Sequence, residues 1–213
     1  MMMNKMITAA IFVSSALSIQ VSASVPDASP KELQQTVPAA AQVCLSCHGA
    51  QGQGIDLAGP KLAGLSSAYM MQQIKLFQSG SRQNPLMQPM SMTVQGDNIK
   101  VVADYFASQS VDKINLHYRG DKVVIADPAE KIAYQGDWSR DLPACFSCHG
   151  PSGVGAEQFP RLAGQQASYL KTQLEAWQSG TRKGDADNMM GNVASKLTAA
   201  EIDQLAQYFA SLK

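Results

Sequence analysis

Cys44-Leu45-Ser46-Cys47-His48-Gly49 and Cys145-Phe146-Ser147-Cys148-His149-Gly150 decide how this chain is read. All four cysteines of the 213-residue sequence lie in these two stretches, and each C-x-x-C pair runs directly into histidine and then glycine. C-x-x-C-H is the attachment signature of c-type haem. Two thiols three positions apart on a helical turn reach the two vinyl groups of one porphyrin. The residue that follows brings an imidazole under the ring to ligate the iron. A structural zinc site combining both pairs, or a thiol–disulfide redox pair, leaves two matched histidines without a role. The spacing therefore assigns Cys44, Cys47, Cys145 and Cys148 to thioether attachment of two haem c groups. It assigns His48 and His149 to the irons.

The sequence around the two motifs repeats as well. Gly59-Pro60-Lys61-Leu62-Ala63-Gly64, Tyr69, Phe77, Gly80 and Arg82 follow the first motif; Phe159-Pro160-Arg161-Leu162-Ala163-Gly164, Tyr169, Trp177, Gly180 and Arg182 follow the second. From Leu62 to Arg82 the offset is a constant 100 residues. Ile99 and Tyr105-Phe106-Ala107-Ser108 match Ile202 and Tyr208-Phe209-Ala210-Ser211 at offset 103, so the second copy carries three extra residues near Lys183 to Asn188. A repeat of this length marks a duplicated domain.

Each copy reads as a few helices. Pro38 sits where a first helix can begin. Ser66 or Ser67 can cap a second, along which Tyr69, Met70, Gln73, Ile74 and Phe77 recur at helical spacing, as do Tyr169, Leu170, Leu174 and Trp177. Gly80 and Gly180 end these helices. Thr198-Ala199-Ala200-Glu201 is a capping box for the last helix, with Ile202, Leu205, Phe209 and Leu212 as its apolar stripe. In the first copy Asp97 is the expected cap and Ile99, Val102 and Phe106 the stripe. Only Lys122 to Ile125 suggests a short strand. The expected fold is all-α, two tandem cytochrome c-like domains each wrapped around a covalent haem: residues 24–110, a linker 111–126, and residues 127–213.

Residues 1–23 read as a secretory signal peptide. Lys5 is the only charge before Asp27, an apolar run broken by serines spans Met6 to Val21, and Val21-Ser22-Ala23 offers the small residues of a cleavage site. The run is shorter and more polar than a membrane span of about 20 residues. A periplasmic protein is expected. Seventeen basic and seventeen acidic side chains balance, and no basic stretch suggests nucleic acid.

The sixth iron ligand follows from the repeat register. The remaining histidine, His117, lies between the copies and has no counterpart. Of seven methionines after the leader, five precede the last helices: Met87, Met90 and Met92 in the first copy, Met189 and Met190 in the second. Met87 lies 12 residues before Ile99, and Met190 lies 12 before Ile202. Met90 and Met92 pair with Val193 and Ser195, and so are read as gap fillers of the core. Met87 and Met190 are the expected axial ligands. His/Met ligation leaves no open iron position and raises the potential, which points to electron transfer rather than bond-making catalysis.

The two C-x-x-C-H-G motifs, the P-x-L-A-G segments, the matched methionines and the two Y-F-A-S helices together resemble the dihaem cytochrome c4 family over about residues 38 to 213. The resemblance implies a periplasmic electron carrier, not an enzyme, with redox proteins as donor and acceptor. It also implies delivery towards a membrane-bound terminal oxidase or a reductase, and peripheral membrane association. It further implies that the carbonyls of Pro60 and Pro160 accept hydrogen bonds from His48 and His149. Arg82 and Arg182 are left with two roles, neutralising haem propionates or sitting on the surface. Two other functions fit the motifs: the electron-acceptor subunit of a periplasmic dehydrogenase acting on a sulfur compound or alcohol, and a dihaem peroxidase-like enzyme with an iron that can open. Visible spectroscopy of the purified protein is expected to count two haems per chain; a count of one would overturn the duplication as read.

Overall fold

The computed structural model describes residues 36–111 and 124–212. The signal peptide, His117 and most of the linker lie outside the described residues, as do Lys122 and Val123 of the suggested strand. Val124 and Ile125, its other two residues, have no strand structure. Among the described residues extended pairing is limited to isolated bridges, and the rest is helix and loop.

The first repeat opens with a 3-10 segment, Ala39–Cys44, behind Pro38, in place of the α-helix expected there. It continues into α1 (Leu45–His48), a single turn. Next come α2 (Ser67–Gln78), α3 (Met87–Met92) and α4 (Asn98–Ala107). The second repeat contains α5 (Pro128–Gln135), α6 (Cys145–His149), α7 (Ala167–Gln178), α8 (Met189–Ala194) and α9 (Ala199–Ser211). Helix α5 escaped the sequence reading, although Asp127-Pro128 is a sound start signal: Asp127 accepts from the Glu130 amide and Pro128 occupies the first turn.

Several ends follow the expected chemistry. Ser66 caps α2 by accepting from the Tyr69 amide. Thr198 and Glu201 form the reciprocal capping box of α9. Gly80 and Gly180 follow α2 and α7 with φ of +76° and +71°, the left-handed geometry of a helix stop. Asp97 differs. Its backbone is already helical and its side chain makes no cap bond, because a helical ψ turns the side chain away from the amides it would serve.

Each repeat has its own apolar core. Tyr69 and Met70 of α2 pack with Ile99, Val102 and Phe106 of α4. Leu170 of α7 packs with Ile202, Leu205 and Phe209 of α9, and α5 adds Ile132 and Ala133. The short α3 and α8 contribute little to these cores. They are held instead by a repeated glutamine clamp. Gln78 Nε2 donates to the carbonyls of Ser91 and Val94, and Gln178 Nε2 to those of Ala194 and Leu197, all at 2.8 Å. The donors are 100 residues apart and the acceptors 103, so the extra residues lie between them. They form a 3-10 turn, Ala186–Asn188. Replacing Thr198 with alanine is expected to lower stability by about 1 kcal/mol, read as a reduced midpoint in chemical denaturation of the holoprotein without loss of haem.

Candidate functional site

Each C-x-x-C-H stretch closes a helical turn that ends on its histidine, and the following glycine takes φ of +79° (Gly49) or +75° (Gly150). A side chain at that φ would be strained. The glycine lets the chain reverse at once. After the reversal the His48 carbonyl accepts from the Gly54 amide and the His149 carbonyl from the Gly155 amide, both at 2.8 Å. The P-x-L-A-G segments then dock by the same pair of bonds. Leu62 and Ala63 amides donate to the Gly52 carbonyl, and Leu162 and Ala163 amides to that of Gly153.

This loop carries a proline carbonyl to the histidine ring. His48 Nδ1 lies 2.8 Å from the Pro60 carbonyl oxygen, and His149 Nδ1 lies 2.8 Å from that of Pro160. A carbonyl only accepts, so Nδ1 carries the proton in both rings and Nε2 is left to ligate. Burial lowers the pKa of both imidazoles, against the raising effect of the proline hydrogen bonds. A neutral imidazole is the form a metal needs.

The cysteines are unpaired. Burial, with Cys47 alongside, raises the Cys44 thiol, and burial pushes Cys145 up to about 12. Redox-active C-x-x-C thiols are shifted the other way. Among the described residues no three Cys, His, Asp or Glu side chains gather as a metal-binding cluster. Thiol exchange and zinc therefore find no support in the geometry.

In the second repeat Cys145, Cys148, His149 and Met190 line one cavity of about 490 Å³, walled by apolar side chains such as Leu162, Leu174, Trp177 and Phe209. A predominantly apolar cavity with two thiols at one edge and a ring nitrogen free inside fits a covalent haem. In the first repeat Met87 opens α3 and is half-buried, as is Met190 in α8. Met90 and Met92 are 42% and 57% exposed. They are not the core fillers expected, because the six residues of α3 contact the core through one narrow face and these two lie off it.

The arginines also depart from the surface reading. Arg82 and Arg182 are 6% and 7% exposed and meet across the two repeats. Their backbones form an antiparallel bridge, flanked by bonds from the Gln83 amide to the Thr181 carbonyl and from the Lys183 amide to the Ser81 carbonyl, each 2.8 Å. Arg82 donates to Gln73 at 2.9 Å and to Tyr169 of the other repeat at 2.7 Å. Arg182 donates to Gln173 at 3.0 Å and to Tyr69 at 2.9 Å. The guanidinium carbons stand 4.5 Å over the Phe77 ring and 4.7 Å over the Trp177 ring. Tyr69 and Tyr169, placed at helical spacing by the sequence, thus also join the two halves. Gln73, Gln173, Gln78 and Gln178 were missed as functional residues, although their common offset of 100 was a visible signal. Gln165 adds a third link, accepting from the Lys61 amide and donating to the Lys61 carbonyl, both at 3.0 Å.

Residues 139–213 match the family model for cytochrome c. The chain is similar to a thiosulfate dehydrogenase electron acceptor of Stutzerimonas stutzeri strain A1501, 36% identical over 199 residues that cover 92% of this chain and 91% of the relative. It is also similar to the crystal structure of reduced cytochrome c4 from Pseudomonas stutzeri, with a TM-score of 0.71 and 32% identity, covering 81% of this chain and 94% of the other. A solved thiosulfate dehydrogenase from Marichromatium purpuratum matches with a TM-score of 0.71 and 43% identity over 80% of this chain, which spans only 36% of that protein.

Among its glycines, the first histidine loop runs closest to other backbone atoms at Gly59. A Cβ there would stand 2.7 Å from the Cys47 carbonyl oxygen and 3.1 Å from His48 Nδ1. Gly59→Ala is expected to displace the Pro60 carbonyl and to lower the melting temperature of the holoprotein; an unchanged melt and spectrum would show that the loop has slack.

Proposed function

The chain belongs to the dihaem cytochrome c4 family, and on that premise we propose that it works in the periplasm, taking electrons from a respiratory donor and passing them to a terminal oxidase or reductase. It is a dihaem electron-transfer cytochrome rather than an enzyme, as its relatives are, and redox proteins are its partners. The observation that carries the reading is the matched pair of histidines held at 2.8 Å by Pro60 and Pro160. Each is followed, in register, by one half-buried methionine.

Cys44, Cys47, Cys145 and Cys148 would hold the two haems. His48 and Met87 would ligate the first iron, His149 and Met190 the second. The bound haem supplies a one-electron ferric/ferrous couple. The protein's part is to keep that couple from becoming a reaction centre. Proline carbonyls fix the imidazole tautomer and ring plane. Met87 and Met190 would supply a second protein ligand to each iron, and the glutamine clamps hold the helices α3 and α8 that carry them. Arg82 and Arg182 would face the propionates, since among the described residues neither guanidinium has a carboxylate partner. Among these residues, too, no helix is long and apolar enough to cross a membrane.

A second reading is favoured by the similarity over 92% of the chain to a thiosulfate dehydrogenase electron acceptor: the donor is a periplasmic dehydrogenase that oxidises a sulfur compound. Stopped-flow mixing separates the two. Rapid reduction of the oxidised protein by a thiosulfate-oxidising dehydrogenase with its substrate is expected under the second reading. Fast reduction by a quinol-oxidising complex, with none by the dehydrogenase, favours the first. For the ligands, Met87→Ala and Met190→Ala are each expected to remove about half of the methionine-to-ferric-iron absorption band, while Met90→Ala leaves it whole.

A further inference from the structure

The two repeats hold their candidate methionines in different electrostatic settings. In the first, Asn84 Oδ1 accepts from the amides of Leu86 and Met87, at 3.0 and 2.8 Å. In the second, the acceptor for the Met190 amide is Asp185 Oδ2. The contact is the same, but a neutral amide supplies it on one side and a carboxylate on the other. Two of the three extra residues fall between Asp185 and Met190. Asn84 lies three positions before its methionine and Asp185 five before its own. The intervening turn, Ala186–Asn188, places Asp187 and Asn188 at φ of +54° and +53°, a left-handed geometry that costs backbone energy.

The second carboxylate oxygen makes the substitution consequential. Asp185 Oδ1 is buried and has no hydrogen-bond partner, and Asp185 forms no ion pair among the described residues. Arg182 lines the same cavity, but its guanidinium bonds to Gln173, Tyr69 and Gln73 and forms no ion pair with Asp185. Asp185 also lines the cavity that His149 and Met190 line. A carboxylate with no ion-pair partner at the wall of an apolar cavity acts on any charge that changes inside it.

We infer that Asp185 is a positioning residue that sets the second site apart from the first. It holds Met190 through the backbone, and its negative charge stabilises the oxidised state of that site alone, lowering its potential relative to what Asn84 would allow. This rests on the ligation by His149 and Met190 proposed above. No bond or proton is transferred. One electron arrives from the donor and one leaves to the acceptor, and Asp185 shifts only the equilibrium between the two oxidation states.

The test is a spectroelectrochemical titration of the full-length holoprotein and its Asp185→Asn, Asn84→Asp and Met190→Ala variants. Asp185→Asn keeps the size of the side chain and an acceptor for the Met190 amide. It is expected to retain the full methionine–iron band while raising one of the two midpoints by about a tenfold change in the reduction equilibrium, which is 59 mV for a one-electron couple. Asn84→Asp is expected to lower the other midpoint. If Asp185→Asn leaves both midpoints unmoved, lowers either, or loses the band, the electrostatic role is wrong and the residue is merely structural. Met190→Ala isolates the premise. Loss of half the band there with a silent Asp185→Asn leaves the ligation standing and removes the inference. An intact band in Met190→Ala removes the ligation, and the inference falls with it.

Discussion

The hydrogen bond from each histidine Nδ1 to a proline carbonyl is the constraint on which the rest depends. A ring tethered only by its Cα can rotate about two bonds. One tethered also at Nδ1 presents Nε2 in a single direction. Making that bond requires the chain to leave the helical turn at once, which needs a glycine with positive φ after the histidine. It must then return eleven or twelve residues later, which needs the loop that Gly52 and Gly153 pin to Leu62, Ala63, Leu162 and Ala163. In the first repeat, at Gly59, the backbone passes so close to Cys47 and His48 that a Cβ would clash.

The methionine-bearing helices are held by different means. Helices α3 and α8 are too short to be stable by themselves and bury few residues. Gln78 and Gln178 replace core packing with hydrogen bonds from the longer α2 and α7, and Asn84 and Asp185 tie down the methionine amides. The histidine rings thus have a rigid support and the methionines a tethered one. The duplication then brings the two sites into one frame. The bonds between Arg82, Arg182, Tyr69, Tyr169, Gln73 and Gln173 cross between the repeats nearly symmetrically. The Gln165 link to Lys61 has no mirror image, because Leu65 stands at the matching position.

Local and covalent features are legible in the order of residues. The motif spacing assigns the cysteines and histidines, the offset of 100 and then 103 locates an insertion that proves to be the turn at Ala186–Asn188, and the capping box at Thr198 forms as expected. The failures share a cause. Asp97 has the right residue type for a cap, but its backbone conformation is not visible in its identity. Met90 and Met92 are apolar, yet the face of a six-residue helix is too short to set a period. Helix α5 has a clear start signal but only eight residues over which to show a stripe.

By itself, the sequence determined how many haems the chain is built to carry, where they attach, that the fold is helical and duplicated, and which methionines are equivalent. All of these depend on spacing along the chain, which covalent geometry and helix pitch convert directly into position. The tertiary structure alone decided that Arg82 and Arg182 are buried partners across the repeats rather than surface charges. It also decided that Asn84 and Asp185 do the same work with different charge. Those outcomes rest on contacts between residues far apart in sequence, or across an insertion of irregular backbone, where no period carries the information and only the packed chain shows which atoms meet.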